Sequence, residues 1–296
     1  MIISILNCDK EFGIGKKNGL LFELPLDMKF FRETTKGHVV AMGENTLLSF
    51  PGAKPLKNRT NIVLSQDPTH NYEGVINVHS FDDFLQAINE KSRLDDVFII
   101  GGASIYRQTL PYADKVLLTK VNAIGGAEVF FPNIDTDSNF ECVDEGKPLN
   151  DNGFEIRFTT YLNKDKKQIP TLFSFKGNVD EISETRLELQ KSLLSKSVFP
   201  IIANRFLLCF DEIVLMIISH DKKSETNIKL YVDANKEYAS LSFKDDNEPF
   251  DIFLDDNPLT KISIKAIKKV TDIFKYEYQN GNVVTIVKNY LNTIIS

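Results

Sequence analysis

The sequence predicts an α/β protein of two domains, and three observations carry that reading. Through about residue 162, short β-rich runs alternate with amphipathic stretches, the pattern of a sheet joined by crossover helices. A charged run without apolar residues, NKDKKQ at 163–168, then interrupts the alternation ahead of Pro170, although a surface hairpin would read the same way. Beyond it the order of elements changes. The domains are expected at residues 1–163 and 170–296, the second an α+β two-layer sandwich with helices on one face of a mixed sheet.

In the first part, IISIL, VVAM, NIVLS, VFIIGG, KVLLTKV and FEIRFTTYL read as strands because they are short, apolar and rich in β-branched residues. PLDMKFFRETT, FDDFLQAINE and SIYRQTL between them read as helices; Pro25 is the natural first residue of its helix, since a missing N–H costs nothing there. The second part opens with the helical VDEISETRLELQKSLLSKS and FLLCFDEIVLMIISH. In the latter, Leu207, Leu208, Ile213, Leu215 and Ile217 are read as core positions. Two strands follow, NIKLYVDA and YASLSFKD, then a helix IKAIKKVTDIFKYEY and a last strand NVVTIVKNYL.

Composition narrows the function. The 296 residues are 42% hydrophobic and 26% charged, with a net charge of -6, so each domain has material for a core. With no basic block to neutralise phosphates, nucleic-acid binding is not expected, and small molecules or proteins are the expected partners. Cys8, Cys142 and Cys209 are far apart and odd in number, so neither a disulfide framework nor a metal site is indicated. MIISILNCDKEFGIG has no basic stretch before its apolar run, and no run of about 18 apolar residues occurs to cross a bilayer. The expectation is no membrane association and a cytoplasmic location.

The chemistry begins with Asp27. If Pro25 opens a helix, Leu24, Met28 and Phe31 lie near the carboxylate and strip it of water. A desolvated carboxyl group has a raised pKa and can hold or relay a proton near neutral pH. Position alone favours the plainer reading, an acid that faces solvent and complements the helix dipole. VFIIGGASIY ends a strand in Gly101 and Gly102, which fits either a phosphate-facing turn or a plain tight turn. VVAMGENT repeats the arrangement at Gly43, ahead of Thr46, as expected of a cofactor lying across a sheet edge.

Taken in order, GIGKKNGLLFELPLDMKFFRETT, VVAMGENT, PLKNRTNIVLS, FIIGGASIY, LLTKV and AEVFFP resemble dihydrofolate reductase along residues 1 to about 162. The resemblance implies NADPH-dependent reduction of dihydrofolate to tetrahydrofolate, and sensitivity to antifolates. It implies a mostly parallel eight-stranded sheet with four helices. Asp27 and Thr119 match the pterin-binding acid and its hydrogen-bonded partner, and Leu20 and Phe22 fall at catalytic-loop positions. Ile5, Phe31, Leu56 and Ile100 match the substrate side, with Arg59 the arginine for the glutamate tail. Asn7, Ile14, Gly15, Asn18, Gly43, Glu44, Thr46, Ser65, Gly101, Gly102, Ala103, Ser104, Ile105 and Tyr106 match cofactor-side positions.

Departures from the pattern carry their own expectations. Phe22 stands where the family usually has Trp, so the indole N–H that orders a water near the pterin is missing. Glu44 and Asn45 stand where cationic residues commonly meet the cofactor phosphates, and Gln66 where a small hydroxyl is frequent. An acid repels a 2'-phosphate but accepts from a free ribose diol, so a weakened NADPH preference and a tilt toward NADH are expected. Asn7 replaces a small apolar residue, with no account from sequence.

FDEIVLMIISH, SFKDDNEPFDIF and the segment from ISIKAIKK to NVVTIVK resemble the histidine-kinase-like ATPase domain of anti-sigma-factor kinases, over about 171–293. Glu212 matches that family's catalytic acid and Asp246 its adenine-reading acid. Met216, however, replaces the magnesium-binding Asn, Asn247 a glycine, and Lys261–Ser263 a glycine-rich phosphate turn. The expectation is a degenerate, non-ATP-binding module used for dimerisation or a protein partner, or a simple stabilising appendage. A competing expectation is a regulatory or scaffold protein using both folds only for binding. A third, a reductase of another pterin or pyrimidine as in riboflavin synthesis, is opposed by Asp27 within LPLD and by Arg59.

Overall fold

A computed structural model of the chain describes residues 1–220 and 226–290. The chain divides into two compact units, Met1–Ile169 and Pro170–Ser296. The first unit runs β1 (Ile2–Cys8), β2 (Gly13–Gly15), α1 (Pro25–Thr35), β3 (Val39–Gly43), α2 (Glu44–Leu48), β4 (Thr60–Leu64), β5 (Ile76–Val78) and α3 (Phe81–Ser92). It continues with β6 (Val97–Gly101), α4 (Ala103–Thr109), β7 (Lys115–Val121), β8 (Val129–Phe130), β9 (Phe140–Glu145), β10 (Leu149–Asp151) and β11 (Phe154–Asn163).

The main sheet has the order β10-β11-β7-β1-β6-β3-β4-β5, parallel from β7 to β5 and antiparallel at β11. Nine strands stand where eight were expected, because β9 also pairs with β11. The outer edge of β11 is met by β10 over Phe154–Ile156 and by β9 over Thr159–Asn163. The edge breaks at Gly146–Lys147–Pro148, where Pro148 has no N–H to continue a ladder. The short β2 and β8 form a separate ribbon.

The central strands are apolar throughout because both sheet faces are covered. Ile2, Val39, Val97 and Ile99 point to one face with Phe84 and Ile88 of α3; Ile3, Ile5, Val40, Phe98 and Ile100 point to the other with Phe30 and Phe31 of α1. Helix α3 starts where Ser80 accepts the Asp83 N–H.

The second unit comprises β12 (Thr171–Lys176), α5 (Val179–Ser195), α6 (Pro200–Ser219), β13 (Asn227–Ala234), β14 (Tyr238–Asp245), α7 (Pro258–Val270), β15 (Ile273–Tyr278) and β16 (Asn282–Asn289). Its sheet, β12-β13-β14-β16-β15, is antiparallel at every pairing rather than mixed. The expected helix IKAIKKVTDIFKYEY is half strand. α7 ends at Val270, and IFKYEY, an alternating run of aromatic and polar residues, pairs with β16. The last expected strand is present to Asn289, while Leu291 lies outside the described residues.

Helix α6 supplies much of this core through Phe206, Phe210, Ile213 and Ile217, but Leu208 and Leu215, read from sequence as core, are exposed. They fall on the side of the helix opposite these four. Asn282 is a buried polar hub. Its Oδ1 accepts from the Phe250 N–H and the Tyr276 hydroxyl, each at 2.8 Å, and its Nδ2 donates to Asp245 at 2.9 Å and the Glu248 carbonyl at 3.1 Å. Asn282→Ala removes all four of these bonds at once, an expected loss of about 2–4 kcal/mol. Native-state hydrogen exchange at β14 and β16 measures it, and unchanged exchange there would refute the hub.

Candidate active site

Asp27 enters the structure through a helix that cannot cap itself. Leu24, at the cap position of α1, has no polar side chain, and the first free N–H groups turn instead to a residue far along the chain. One oxygen of Asp151, at the end of β10, accepts from the N–H of Leu26 at 2.9 Å and of Asp27 at 3.1 Å. The side chain of Asp27 then points into the sheet, 7% exposed. Asn7 Nδ2 donates to its Oδ2 at 2.8 Å, and the Thr119 hydroxyl on the neighbouring strand also favours its charged form. Asn7 and Thr119 can converge because they are register partners on β1 and β7.

Burial raises the Asp27 pKa, and the Asp151 charge adds to it; the bonds from Thr119 and Asn7 pull the other way but do not win. Asn7 therefore has the account that sequence lacked: it is a donor to the acid. Its own Oδ1 is buried with no hydrogen-bond partner among the described residues. Met28, expected to help bury Asp27, is 41% exposed. Asn7→Ala removes a bond to the ionised form, so the Asp27 pKa is expected to rise further. A carboxyl carbon NMR titration of the free enzyme measures the shift; a downward move would refute the assignment.

Ile5, Ile100, Phe31 and Leu56 meet in one apolar cluster on the sheet face that carries α1. Arg59 lies at its edge, with Nε donating to Thr35 Oγ1 at 2.8 Å and the two Nη groups to the carbonyls of Lys57 and Arg32 at 2.9 and 3.1 Å. Three of its five N–H groups are thus used to fix the guanidinium plane, leaving two. Phe22 packs on Phe154 with ring centroids 4.8 Å apart and joins Leu24, Val121 and Ile156 in a small core. A cavity of about 390 Å³ opens beside it, lined by Leu20, Phe22, Glu23, Leu24, Pro25 and Met28.

On the other side of the strand ends, Gly101 has φ +134°, and a Cβ there would sit 2.8 Å from Thr46 Oγ1. A Cβ on Gly43 would meet Ile105 at 3.0 Å. The backbone at Gly43, Gly101 and Gly102 is therefore bare, and the Gly101–Gly102 peptide is cis. Ala103 and Ser104 begin α4 beyond it. Tyr106 is buried, and its hydroxyl donates to the Ile5 carbonyl at 2.8 Å, so it braces β1. Ile14 and Gly15 lie in β2, and the chain then turns tightly at Lys17 and Asn18, both with positive φ, between the bridged Lys16 and Gly19. Leu20, just past this turn, is 61% exposed.

Glu44 and Ser65 stand at the adjacent ends of β3 and β4. Glu44 Oε1 accepts from the Tyr72 hydroxyl at 2.5 Å and lies 2.7 Å from His70 Nδ1. The bond from Tyr72 is the main reason its pKa falls below the usual carboxylate range. Tyr72 and His70 were not read as functional, because HNYEG has the composition of an ordinary loop. Asp151 was missed likewise, within a NDNG turn.

A parallel sheet with bare glycine backbone at its strand ends and a buried acid close by is the arrangement expected of a dinucleotide-dependent oxidoreductase. A sequence model of dihydrofolate reductase matches residues 1–163. The dihydrofolate reductase of Bacillus subtilis is 34% identical over 170 residues, covering 57% of this chain and 98% of that protein. That of Haemophilus influenzae is 36% identical over 152 residues, covering 51% and 91%. The structure of dihydrofolate reductase from Enterococcus faecalis complexed with NADP(H) and RAB-propyl superposes with a TM-score of 0.51 at 31% identity, covering 56% of this chain and 97% of that one. The chain belongs to the dihydrofolate reductase family, and its activity is the NADPH-dependent reduction of 7,8-dihydrofolate to 5,6,7,8-tetrahydrofolate.

Proposed function

We propose that Asp27, held by Asn7 and Thr119, binds and polarises the pterin ring of dihydrofolate and governs the proton that its C=N reduction consumes. The observation that carries this is the buried carboxyl group, 7% exposed and bonded to Asn7 at 2.8 Å, whose pKa burial raises. Ile5, Phe31, Leu56 and Ile100 form the apolar walls, and the two remaining N–H groups of Arg59 fork onto the carboxylate of the glutamate tail. Phe22 seals the loop side by packing alone, since a phenyl ring orders no water. Leu20 closes the entrance.

The bare backbone at Gly43, Gly101 and Gly102, beside Thr46, fits a dinucleotide pyrophosphate, which needs close approach to main-chain N–H groups; a Cβ on Gly101 would crowd Thr46 and one on Gly43 would crowd Ile105. Ala103, Ser104 and Ile105 continue that wall, and Ile14, Gly15 and Asn18 cover the nicotinamide end. NADPH, when bound, supplies the hydride. Glu44 accepts from the adenosine ribose and disfavours a 2'-phosphate, so NADH serves as a second donor.

The second unit is read as a degenerate nucleotide fold retained for binding, as a dimerisation or partner module. Met216 is 3% exposed in the core, and Lys261–Ser263 lie inside α7 rather than in a phosphate turn. No helix among the described residues is long and apolar enough to cross a membrane, and the cytoplasm is the proposed location. Oxidation of NADPH and of NADH by the full chain with dihydrofolate, followed at 340 nm, tests the reductase reading. A rate at the buffer background with both donors would overturn it.

A further inference from the structure

Helix α6 is apolar on two sides. One side is the core of its unit; on the other, Ile201, Leu208 and Leu215 are 63, 62 and 57% exposed. Single exposed leucines need no explanation, but these three recur every seven residues and form a line about 21 Å long, the spacing of a helix-pairing seam. Leu259 and Ile262 on α7 and Leu187 on α5 are also exposed.

The charges beside this line match its own reversed copy. With Leu208 as the midpoint, Arg205 and Glu212 lie on the same side of the line, about 4.5 Å before it and 6 Å after it along the axis. Glu212 is held there by the hydroxyl of Ser263 on α7. Asp211, on the other side of the line, is already paired with Arg186 of α5 at 2.9 Å. Arg205 forms no ion pair among the described residues. A two-fold axis through Leu208, perpendicular to the helix, reverses direction and keeps sides. It sets Ile201 against Leu215 of the second copy, Leu208 against Leu208, and Arg205 beside Glu212, twice. A parallel pairing brings like charges to the same height.

We infer that the Ile201–Leu208–Leu215 face of α6 pairs antiparallel with the same face of a second copy, making the chain a two-fold homodimer through its second unit. This deepens the reading of that unit as an interaction module by naming its occupant and register. The contact is isologous, so it closes at two copies.

Sedimentation velocity of the full chain at micromolar concentration is expected to show a dimer. Leu208→Glu places two carboxylates on the axis and is expected to raise the dimer dissociation constant by about 100-fold or more while leaving dihydrofolate reduction unchanged. Arg205→Glu and Glu212→Arg are each expected to weaken it about tenfold, and the double reversal to restore it. The register has its own test. In a Cys142→Ser background, which removes the exposed native thiol, Leu208→Cys is expected to give a disulfide-linked dimer on mild oxidation, and Leu187→Cys none. A wild-type monomer at 50 µM, taken as about the upper end of a useful self-affinity, overturns self-pairing while leaving a module for another protein standing. A dimer untouched by Leu208→Glu overturns the assigned face.

Discussion

Asp27→Asn is expected to lower kcat/KM for dihydrofolate by about 10²–10⁴-fold, the usual range for loss of an acid–base group. The substitution keeps the shape of the side chain and a carbonyl able to accept from Asn7 or Thr119, so the pocket and cofactor affinity should persist. What disappears is the ionisable group. Residual activity must then draw its proton from solvent, and it is expected to fall steadily with rising pH. In the wild type, the raised pKa keeps the carboxyl protonated further toward neutrality, and the alkaline limb follows its ionisation. Steady-state rates from pH 5 to 9, a span of about two units either side of neutrality, check both. A variant within threefold of wild type would remove Asp27 from the chemistry, given the roughly 100-fold minimum expected.

Glu44→Arg is expected to raise the ratio of NADPH to NADH efficiency by about 100-fold, the second large effect. The carboxylate is ionised at neutral pH, held below its ordinary pKa by Tyr72 and His70, and stands at a strand end beside Ser65. There it suits two ribose hydroxyls and repels a phosphate; a guanidinium reverses both preferences. Glu44→Gln, which removes charge without adding any, should fall between. Calorimetric dissociation constants for NADP⁺ and NAD⁺ give the same answer without turnover. Tyr72, its pKa pushed up to about 12 chiefly by the bond to Glu44, should titrate lower in either variant. An unchanged cofactor ratio would place Glu44 away from the adenosine ribose.

How much of this could be read from the chain depends on the range of the interaction. The buried strands of the first unit were legible because both faces are covered and the runs are apolar without break. Asp27 was legible through its apolar neighbours, though one of them, Met28, turns outward. The split edge beside β11 was not, since only the pairing reveals that Pro148 divides one edge between two strands. In the second unit, IFKYEY looked helical because it follows a helix directly, and only its partner β16 makes it a strand. Leu208 and Leu215 were read inward because periodicity shows that a helix is apolar, not which apolar side meets the sheet. Asn7, Asp151, Tyr72 and His70 act across gaps of 20 residues or more, which no local pattern records.

Asp151 has a consequence outside the reaction itself. It touches no wall of the proposed pocket, yet it fixes the start of α1 and adds its negative charge to the field at Asp27. Its loss would loosen the helix end and make Asp27, the proposed pterin-binding acid, easier to ionise. Antifolates that bind one ionisation state of that acid would feel the change without losing a contact. The outer strand edge is therefore a place where drug resistance could arise by mutation of a residue that lines no pocket wall, and where sequencing confined to pocket residues would not find it.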